Sequence, residues 1–266
     1  MSHSLLRSIQ AENGAEYNSV DWLERLSQIG CVVEGSNEES IDIEVFPDRP
    51  DLLSHETMAR AARAFLDGDI QQPTIETKDS GITLDVDSSL ESVRPIIMAA
   101  IVRGVNNGNT DDEKDQFIQS LMDHQEKLHL SLGRRRKFSS IGVHDLSTLS
   151  PPFRVVTVPG SHSFIPLAME EKMSIDNILN EHPKGKEYAH LMDNLEVYPV
   201  ILDSNDGILS FPPIINGEHT TVRKSTTDFF IDVTGWEKRA VETCLLLVCL
   251  ASVSYTHLTL PTIYSV

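Results

Sequence analysis

Cysteines, basic residues and long apolar runs are all scarce in this sequence. The 266 residues include three cysteines, Cys31, Cys244 and Cys249, an odd number without the paired spacing of a zinc site. We therefore expect free thiols in a reducing, cytoplasmic compartment. No apolar run reaches the roughly 18 residues of a membrane span, and the first residues lack the charged-then-apolar order of a signal peptide. The sequence thus predicts neither a disulfide framework nor a membrane segment.

Basic residues are also few relative to acidic residues. The chain has 22 Lys and Arg residues against 40 Asp and Glu, a formal net charge of −18. Such a chain is not a general nucleic-acid binder, because non-specific affinity depends on neutralising phosphates. Basic residues are concentrated in one run, Arg134, Arg135, Arg136 and Lys137. This run is either the favourable cationic end of a helix or a local phosphate contact for RNA, and the two roles are compatible.

Motifs of common enzyme chemistry are missing as well. No GxxxxGK, dinucleotide fingerprint or GxSxG elbow occurs, so ATP chemistry is not encoded here. Glu218 and His219 lack a second histidine at ligand spacing. We interpret Asp48, Arg49 and Asp51 as a charged turn in which Arg49 pairs with Asp51, in preference to a metal or phosphate site. The sequence predicts no metal ligands.

The hydrophobic pattern divides the chain into parts. A length of 266 residues, with 40% hydrophobic and 23% charged residues, is typical of a globular protein with two domains. We predict a small N-terminal α+β domain over 1–70, a linker containing an edge strand over 71–92, and a larger α+β domain over 93–251. Residues 252–266 are uncharged, and we expect this tail to be non-native, with a genuine edge strand as the alternative.

Local signals predict individual elements. Asp21 and Ser54 are each expected to cap a helix. Residues 41–45 alternate between apolar and acidic side chains, which is typical of a half-buried strand. The segment from Thr110 to Glu113 is a capping box that begins a longer helix.

The densest signals lie between Tyr198 and Gly235. Asp206-Gly207 between two β-branched apolar runs predicts a β-hairpin, and Pro212-Pro213 must end its second strand. A further strand, Phe229–Thr234, contains Asp232 within an apolar run. A lone carboxylate is costly in such a place unless it meets a partner or a ligand.

This part of the chain resembles a known family. The strings YPVILDSNDG, LSFPPIINGEHT and FFIDVTG, with GRRRK and IGVHDLSTLSPPF upstream, closely resemble the editing domain of the phenylalanyl-tRNA synthetase β subunit in its archaeal and eukaryotic form. The likeness covers most of residues 41–250. It implies an α+β fold in which a small N-terminal unit precedes an editing domain. It also implies a cytoplasmic (αβ)2 complex with an α subunit and tRNA(Phe). ATP and Mg²⁺ are expected for the complete synthetase, and no cofactor is expected for this part.

Editing solves a problem of selectivity. Tyrosine is phenylalanine plus one hydroxyl, and an apolar pocket rejects such an analogue by only about a hundredfold. A second site must then hydrolyse tyrosyl-tRNA, and it recognises the phenol through hydrogen bonds worth about 1–3 kcal/mol each. The resemblance assigns substrate binding to Ser210, Asp232 and Thr234.

Catalysis and tRNA binding complete the expected site. We expect Asn216 and backbone amides around Gly217 to stabilise the oxyanion formed when a positioned water attacks. A basic residue expected shortly after the asparagine has its nearest match in Arg223, which lies a little later than in the family pattern. The residues expected to contact tRNA are Arg134, Arg135, Arg136 and Arg223.

His144 precedes Asp145 on a predicted strand. Adjacent strand residues face opposite sides, so we expect a hydrogen-bonded structural role for His144 rather than a catalytic dyad with Asp145.

Two alternatives to an editing hydrolase remain open. One is a non-catalytic tRNA-binding or assembly module of the same complex. The other is an unrelated sugar or peptide binder with an acidic cleft.

Overall fold

The chain forms the predicted α+β fold. The computed structural model describes residues 1–66, 77–253 and 263–265. None of the described helices combines the length and the apolarity needed to cross a bilayer. The helices are α1 (His3–Glu12), α2 (Ser19–Arg25), α3 (His55–Leu66), α4 (Asp111–Leu130), α5 (Ile175–Glu181), α6 (Pro183–Tyr188) and α7 (Lys238–Val253). The strands are β1 (Cys31–Ser36), β2 (Ile41–Val45), β3 (Thr77–Asp79), β4 (Leu84–Val86), β5 (Ile96–Val102), β6 (Ser139–Asp145), β7 (Phe153–Pro159), β8 (Ser163–Phe164), β9 (Met173–Ser174), β10 (Val197–Leu202), β11 (Ile208–Phe211), β12 (Ile215–Asn216), β13 (Phe229–Gly235) and β14 (Ile263–Ser265).

Three helices and the antiparallel β1–β2 pair form the N-terminal unit. The signals above did not predict α1, which Ser2 caps through its side chain. Helix α2 begins at Ser19 and is capped by Asn18, so the predicted cap at Asp21 is wrong. The Asn18 side chain accepts hydrogen bonds from two amides of the first turn, and the helix therefore starts earlier.

Several local predictions are confirmed. Arg49 pairs with Asp51 at 2.8 Å, so the charged turn contains the expected ion pair. Thr110 and Glu113 form the capping box at the start of α4. Strands β10 and β11 form the hairpin, and β11 ends at Phe211, directly before the two prolines.

Two five-stranded sheets form the larger part of the chain. One has the strand order β12-β11-β10-β7-β4, and the other has the order β3-β14-β5-β13-β6. Helices α5 and α6 pack against the first sheet, and α4 and α7 pack against the second. Apolar side chains from both sheets form one further cluster, which includes Ile101, Phe153, Ile201, Leu209 and Phe230.

Helix α4 joins the N-terminal unit to these sheets. Its apolar side belongs to a hydrophobic cluster that also contains Leu52 and Met58 of the N-terminal unit. Next to these apolar residues, Ser120 Oγ lies 3.1 Å from His55 Nδ1. The N-terminal unit and the rest of the chain therefore share one core.

His124 lies on the side of α4 that carries Ser120. It is buried, and neither ring nitrogen has a hydrogen-bond partner among the described residues. Burial, with a smaller effect from Lys127, lowers the pKa of His124 to about 4. The same two causes, in the same order, lower the pKa of His55 to about 3. Both imidazoles are therefore neutral in the folded protein near neutral pH.

The predicted linker and tail are partly described. Residues 67–76 lie outside the described residues, while β4 forms the edge of its sheet, which confirms the edge strand predicted within 71–92. In the tail, residues 254–262 and 266 also lie outside the described residues. Strand β14 pairs with β3 and β5, so this part of the tail is a strand inside a sheet rather than at its edge.

Candidate functional site

A cavity of about 370 Å³ lies along β6, the edge strand of the second sheet. Helix α4 forms one wall, β6 forms another, and the segment from β11 to β12 forms the third. Ser210 on β11 and Asp232 on β13 both line it. The two side chains come from different sheets, because β11 belongs to the first five-stranded sheet and β13 to the second. The lining residues include Ile118, Met122, Gln125, Glu126, Ser140, Ile141, Gly142, Val143, Lys184, Pro212, Pro213, Ile214 and Asn216.

Two side chains of helix α4 form hydrogen bonds with the backbone of Ile141, on the unpaired edge of β6. Gln125 Nε2 donates to the Ile141 carbonyl oxygen at 2.7 Å, and the Ile141 amide donates to His129 Nε2 at 2.8 Å. Because His129 Nε2 accepts this hydrogen bond, its proton lies on Nδ1, which donates to Glu126 Oε1 at 3.2 Å. This contact and the nearby Arg136 lower the pKa of Glu126 to about 2. The cavity wall is thereby fixed and Glu126 is ionised.

A left-handed turn delivers Arg136 to the cavity. Arg134, Arg135 and Arg136 have φ values of 49°, 55° and 64°, a conformation that costs a residue with a side chain roughly 1–2 kcal/mol. Arg136 Nη1 donates to the carbonyl oxygens of Pro213 (3.2 Å) and Ile214 (3.0 Å). Its other terminal nitrogen contacts Glu126 at 2.6 Å. The guanidinium thus holds the β11–β12 segment against α4.

The three predicted tRNA-binding arginines of this run are therefore not equivalent. Arg134 and Arg135 are exposed, whereas Arg136 is buried and bonded within the protein. Its guanidinium also stacks over the Tyr188 ring at 4.5 Å from the centroid. Arg223 is exposed and lines a separate surface hollow with His219 and Gly207.

Asp232 is held by a histidine. Its Oδ2 lies 2.8 Å from His144 Nε2, and both side chains are buried. His144 Nδ1 lies 2.8 Å from the Thr220 hydroxyl, which donates to the Gly217 carbonyl oxygen at 2.9 Å. His144 therefore has the hydrogen-bonded environment that we expected, it does not pair with its neighbour Asp145, and its carboxylate partner is Asp232.

A fully buried arginine lies behind Asp232. Arg94 Nε donates to Thr234 Oγ1 at 2.7 Å, and its Nη2 donates to Ser140 Oγ at 3.0 Å. Burial lowers the pKa of Arg94 to about 9, an effect that the Asp232 carboxylate partly offsets. Arg94 is therefore charged at neutral pH, and it supplies the positive charge near this carboxylate. Thr234 shares a strand face with Asp232, but its hydroxyl is engaged by Arg94 and Ser140.

Ser210 and Asn216 meet on the opposite wall. Ser210 Oγ donates to Asn216 Oδ1 at 3.2 Å. The side-chain nitrogen of Asn216, Nδ2, has no hydrogen-bond partner among the described residues. The Gly217 amide donates to the Leu209 carbonyl oxygen at 2.8 Å, so it is engaged within the protein. Of the two expected oxyanion donors, Asn216 is the one with an available N–H group.

Comparison with known proteins relates this cavity to a family. A family model described as the B3/4 domain matches residues 93–252, which include every residue that lines the cavity. The phenylalanine–tRNA ligase beta subunit of Methanosarcina acetivorans is 50% identical over 213 residues, 80% of this chain and 38% of that protein. The corresponding subunit of Methanosarcina barkeri is 49% identical over 229 residues, 86% of this chain and 41% of that protein.

A solved structure decides the assignment. The crystal structure of an N-terminal fragment of the phenylalanyl-tRNA synthetase beta subunit from Pyrococcus horikoshii matches with a TM-score of 0.88 at 32% identity, covering 100% of this chain and 75% of that chain. This chain belongs to the phenylalanyl-tRNA synthetase β-subunit family. It spans about two fifths of the length of the curated β subunits that it matches.

The sequence did not predict three features of the site in this member of the family. The pairing of His144 with Asp232 depends on the register between β6 and β13, where Asp232 lies opposite Gly142. Arg94 precedes β5 without any motif around it. Lys184 lines the cavity from α6, and no local pattern distinguishes it from a surface lysine.

Proposed function

We propose that this chain hydrolyses the ester bond of tyrosyl-tRNA(Phe). The observation that carries the proposal is Asp232, a buried carboxylate on the cavity wall whose Oδ1 is not hydrogen-bonded by any described residue. Apolar side chains such as Ile118 and Met122 supply contacts for an aromatic ring. A tyrosine phenol can then donate to Asp232, whereas a phenylalanine ring leaves the carboxylate oxygen unsatisfied, at a cost of about 1–3 kcal/mol.

Hydrolysis in this cavity uses a water molecule as the nucleophile. The Ser210 hydroxyl donates to Asn216, and the Thr220 hydroxyl donates to the Gly217 carbonyl oxygen, so neither directs its proton toward a base. Water adds to the ester carbonyl carbon, and the free Asn216 amide N–H stabilises the oxyanion that forms. The bond to the ribose oxygen then breaks. One water proton passes to the departing ribose oxygen, which becomes a hydroxyl, and the other passes to solvent, which leaves a free tyrosine carboxylate.

The tRNA reaches the cavity through local positive charge in an acidic chain. Arg134 and Arg135 are exposed within the turn that ends in Arg136, and Lys184 lies on the cavity wall. We assign phosphate contacts to the two exposed arginines, because counterion release requires accessible cations. We assign to Thr234 a role with Arg94 in supporting Asp232, and to Arg223 a more distant contact with tRNA.

The family assignment supports a wider proposal for the complete protein. We propose that the chain works with an α subunit, in an (αβ)2 synthetase that makes phenylalanyl-tRNA with ATP and Mg²⁺. The ATP chemistry is assigned to the partner subunit, and the cavity described here removes the mischarged product.

Two substitutions test this proposal. Asp232→Ala should raise the KM for tyrosyl-tRNA and remove the preference over phenylalanyl-tRNA, a loss on the order of 1–3 kcal/mol in transition-state stabilisation. Asn216→Ala should instead lower kcat for both esters, because oxyanion stabilisation does not depend on the phenol. The measurement is a deacylation time course for both esters, with the α subunit added.

Two outcomes would contradict the assignment. Full tyrosine selectivity in a folded Asp232→Ala variant would make the carboxylate structural. Tight tRNA binding without turnover in the wild type would favour the non-catalytic tRNA-binding module.

A further inference from the structure

The hydrogen bonds around His144 fix the position of one proton. The Thr220 hydroxyl carries one hydrogen, which it donates to the Gly217 carbonyl oxygen at 2.9 Å. His144 Nδ1 lies 2.8 Å from the same hydroxyl oxygen, so it must carry the proton in that contact and donate to Thr220. The ring is further packed against Phe230, with centroids 5.9 Å apart.

The second ring nitrogen, Nε2, then determines which hydrogen bonds Asp232 can form. A proton lies between His144 Nε2 and Asp232 Oδ2, which are 2.8 Å apart. If the proton resides on the ring, Asp232 is a carboxylate. If it resides on Oδ2, the other oxygen is a carbonyl oxygen. In both states Oδ1 can only accept a hydrogen bond.

Gly142 makes this close pairing possible. It lies opposite Asp232 in the β6–β13 register. A Cβ at position 142 would lie 2.1 Å from Asp232 Oδ2 and 2.6 Å from His144 Nε2. A side chain at this position would therefore force the pair apart.

We propose that His144 is a positioning residue that makes Asp232 Oδ1 an acceptor only, so that the cavity selects aromatic amino acid esters by a hydrogen-bond donor at the para position. This inference rests on the proposed editing function and goes beyond it by giving His144 a role in selectivity and by extending recognition from the phenol to other donors at the para position. An amino group in place of the phenol is accepted because it donates. A fluorine is rejected because it has no hydrogen to donate, although it is small enough to enter.

The substrate test uses four tRNA esters and the wild-type chain with its α subunit. The esters carry tyrosine, 4-aminophenylalanine, 4-fluorophenylalanine and phenylalanine. We expect kcat/KM for the amino ester within about tenfold of the tyrosyl value, and the fluoro ester grouped with phenylalanine. Equal cleavage of fluoro and tyrosyl esters, with phenylalanyl spared, would show selection by shape and overturn the inference.

Three variants test the role of His144. His144→Leu should reduce the preference for the tyrosyl over the fluoro ester by about tenfold or more, mainly through KM. His144→Gln can place an amide N–H near the position of Nε2 and should recover most of the preference. Thr220→Val keeps the shape of the side chain, removes the hydroxyl that fixes Nδ1, and should give an intermediate loss. An unchanged preference in a folded His144→Leu variant would refute the positioning role.

Binding of the free amino acids separates this inference from the proposed function. Calorimetric titration with the four amino acids measures donor selection without hydrolysis. Donor-dependent binding that His144→Leu abolishes, in a chain that cleaves no ester, would support the inference and reject the hydrolase. Hydrolysis of tyrosyl-tRNA, with binding and cleavage that do not depend on a para donor, would support the hydrolase and reject the inference.

Discussion

Replacing Arg136 should affect the protein differently from replacing its two neighbours. Arg136 Nη1 donates to two carbonyl oxygens of the segment between β11 and β12, at 3.2 and 3.0 Å. Hydrogen bonds from a charged group contribute about 1.5–3 kcal/mol each. Its ion pair with Glu126, a side chain that is 45% exposed, adds less than about 1 kcal/mol. Since the freed carbonyl groups can be partly rehydrated from the cavity, we expect Arg136→Met to lower the free energy of unfolding by about 2–4 kcal/mol.

The exposed arginines provide the matched control. An Arg134→Ala, Arg135→Ala double variant removes two surface cations and no side-chain hydrogen bond to any described residue, so its stability should change little. Its tRNA affinity should fall, and the slope of log K against log salt should decrease by about 1.4–1.8, the value for two phosphate contacts.

Urea unfolding and a salt titration of tRNA binding measure these effects on the same samples. If Arg136→Met keeps wild-type stability and reduces the salt slope as much as one neighbour does, then Arg136 is a tRNA contact and our account of its internal bonds is wrong.

Two further predictions concern the core and a close helix contact. The pKa of His124 is about 4 in the folded chain against 6.5 unfolded, so the unfolded state binds more protons in this window and stability falls as pH falls through it. Between about pH 7.5 and pH 5.5, the free energy of unfolding of His124→Leu, measured with urea, should fall by about 1 kcal/mol less than that of the wild type. Equal decreases in the two proteins would refute this. A Cβ on Gly185 would lie 1.7 Å from the Ile178 carbonyl oxygen. Gly185→Ala should therefore lower Tm markedly while the exposed Lys186→Ala does not, and equal Tm values would contradict the close contact.

Local chemistry allowed much of the fold to be predicted. The capping box at Thr110, the hairpin around Asp206-Gly207 and the strand containing Asp232 depend on residues close in sequence, and all three are present. The start of α2 was misplaced by a few residues, because Asn18 and Asp21 are both suitable caps and the sequence does not rank them.

The site was less predictable because it depends on register and on the arrangement of the sheets. The face shared by Asp232 and Thr234 follows from strand alternation alone. The His144 contact requires β6 and β13 to pair in one register among several. The meeting of Ser210 with Asp232 requires two separate sheets to converge, and no spacing in the sequence specifies that arrangement.

Helix α4 couples the N-terminal unit mechanically to the cavity. Its side chains Ile118 and Met122 form part of the cavity wall, and Ser120, on another side of the helix, contacts His55 of the N-terminal unit. A displacement of the N-terminal unit would therefore be transmitted to the cavity by the same helix that forms one of its walls. The distance between the two sets of contacts is short, since both lie within two turns of one helix.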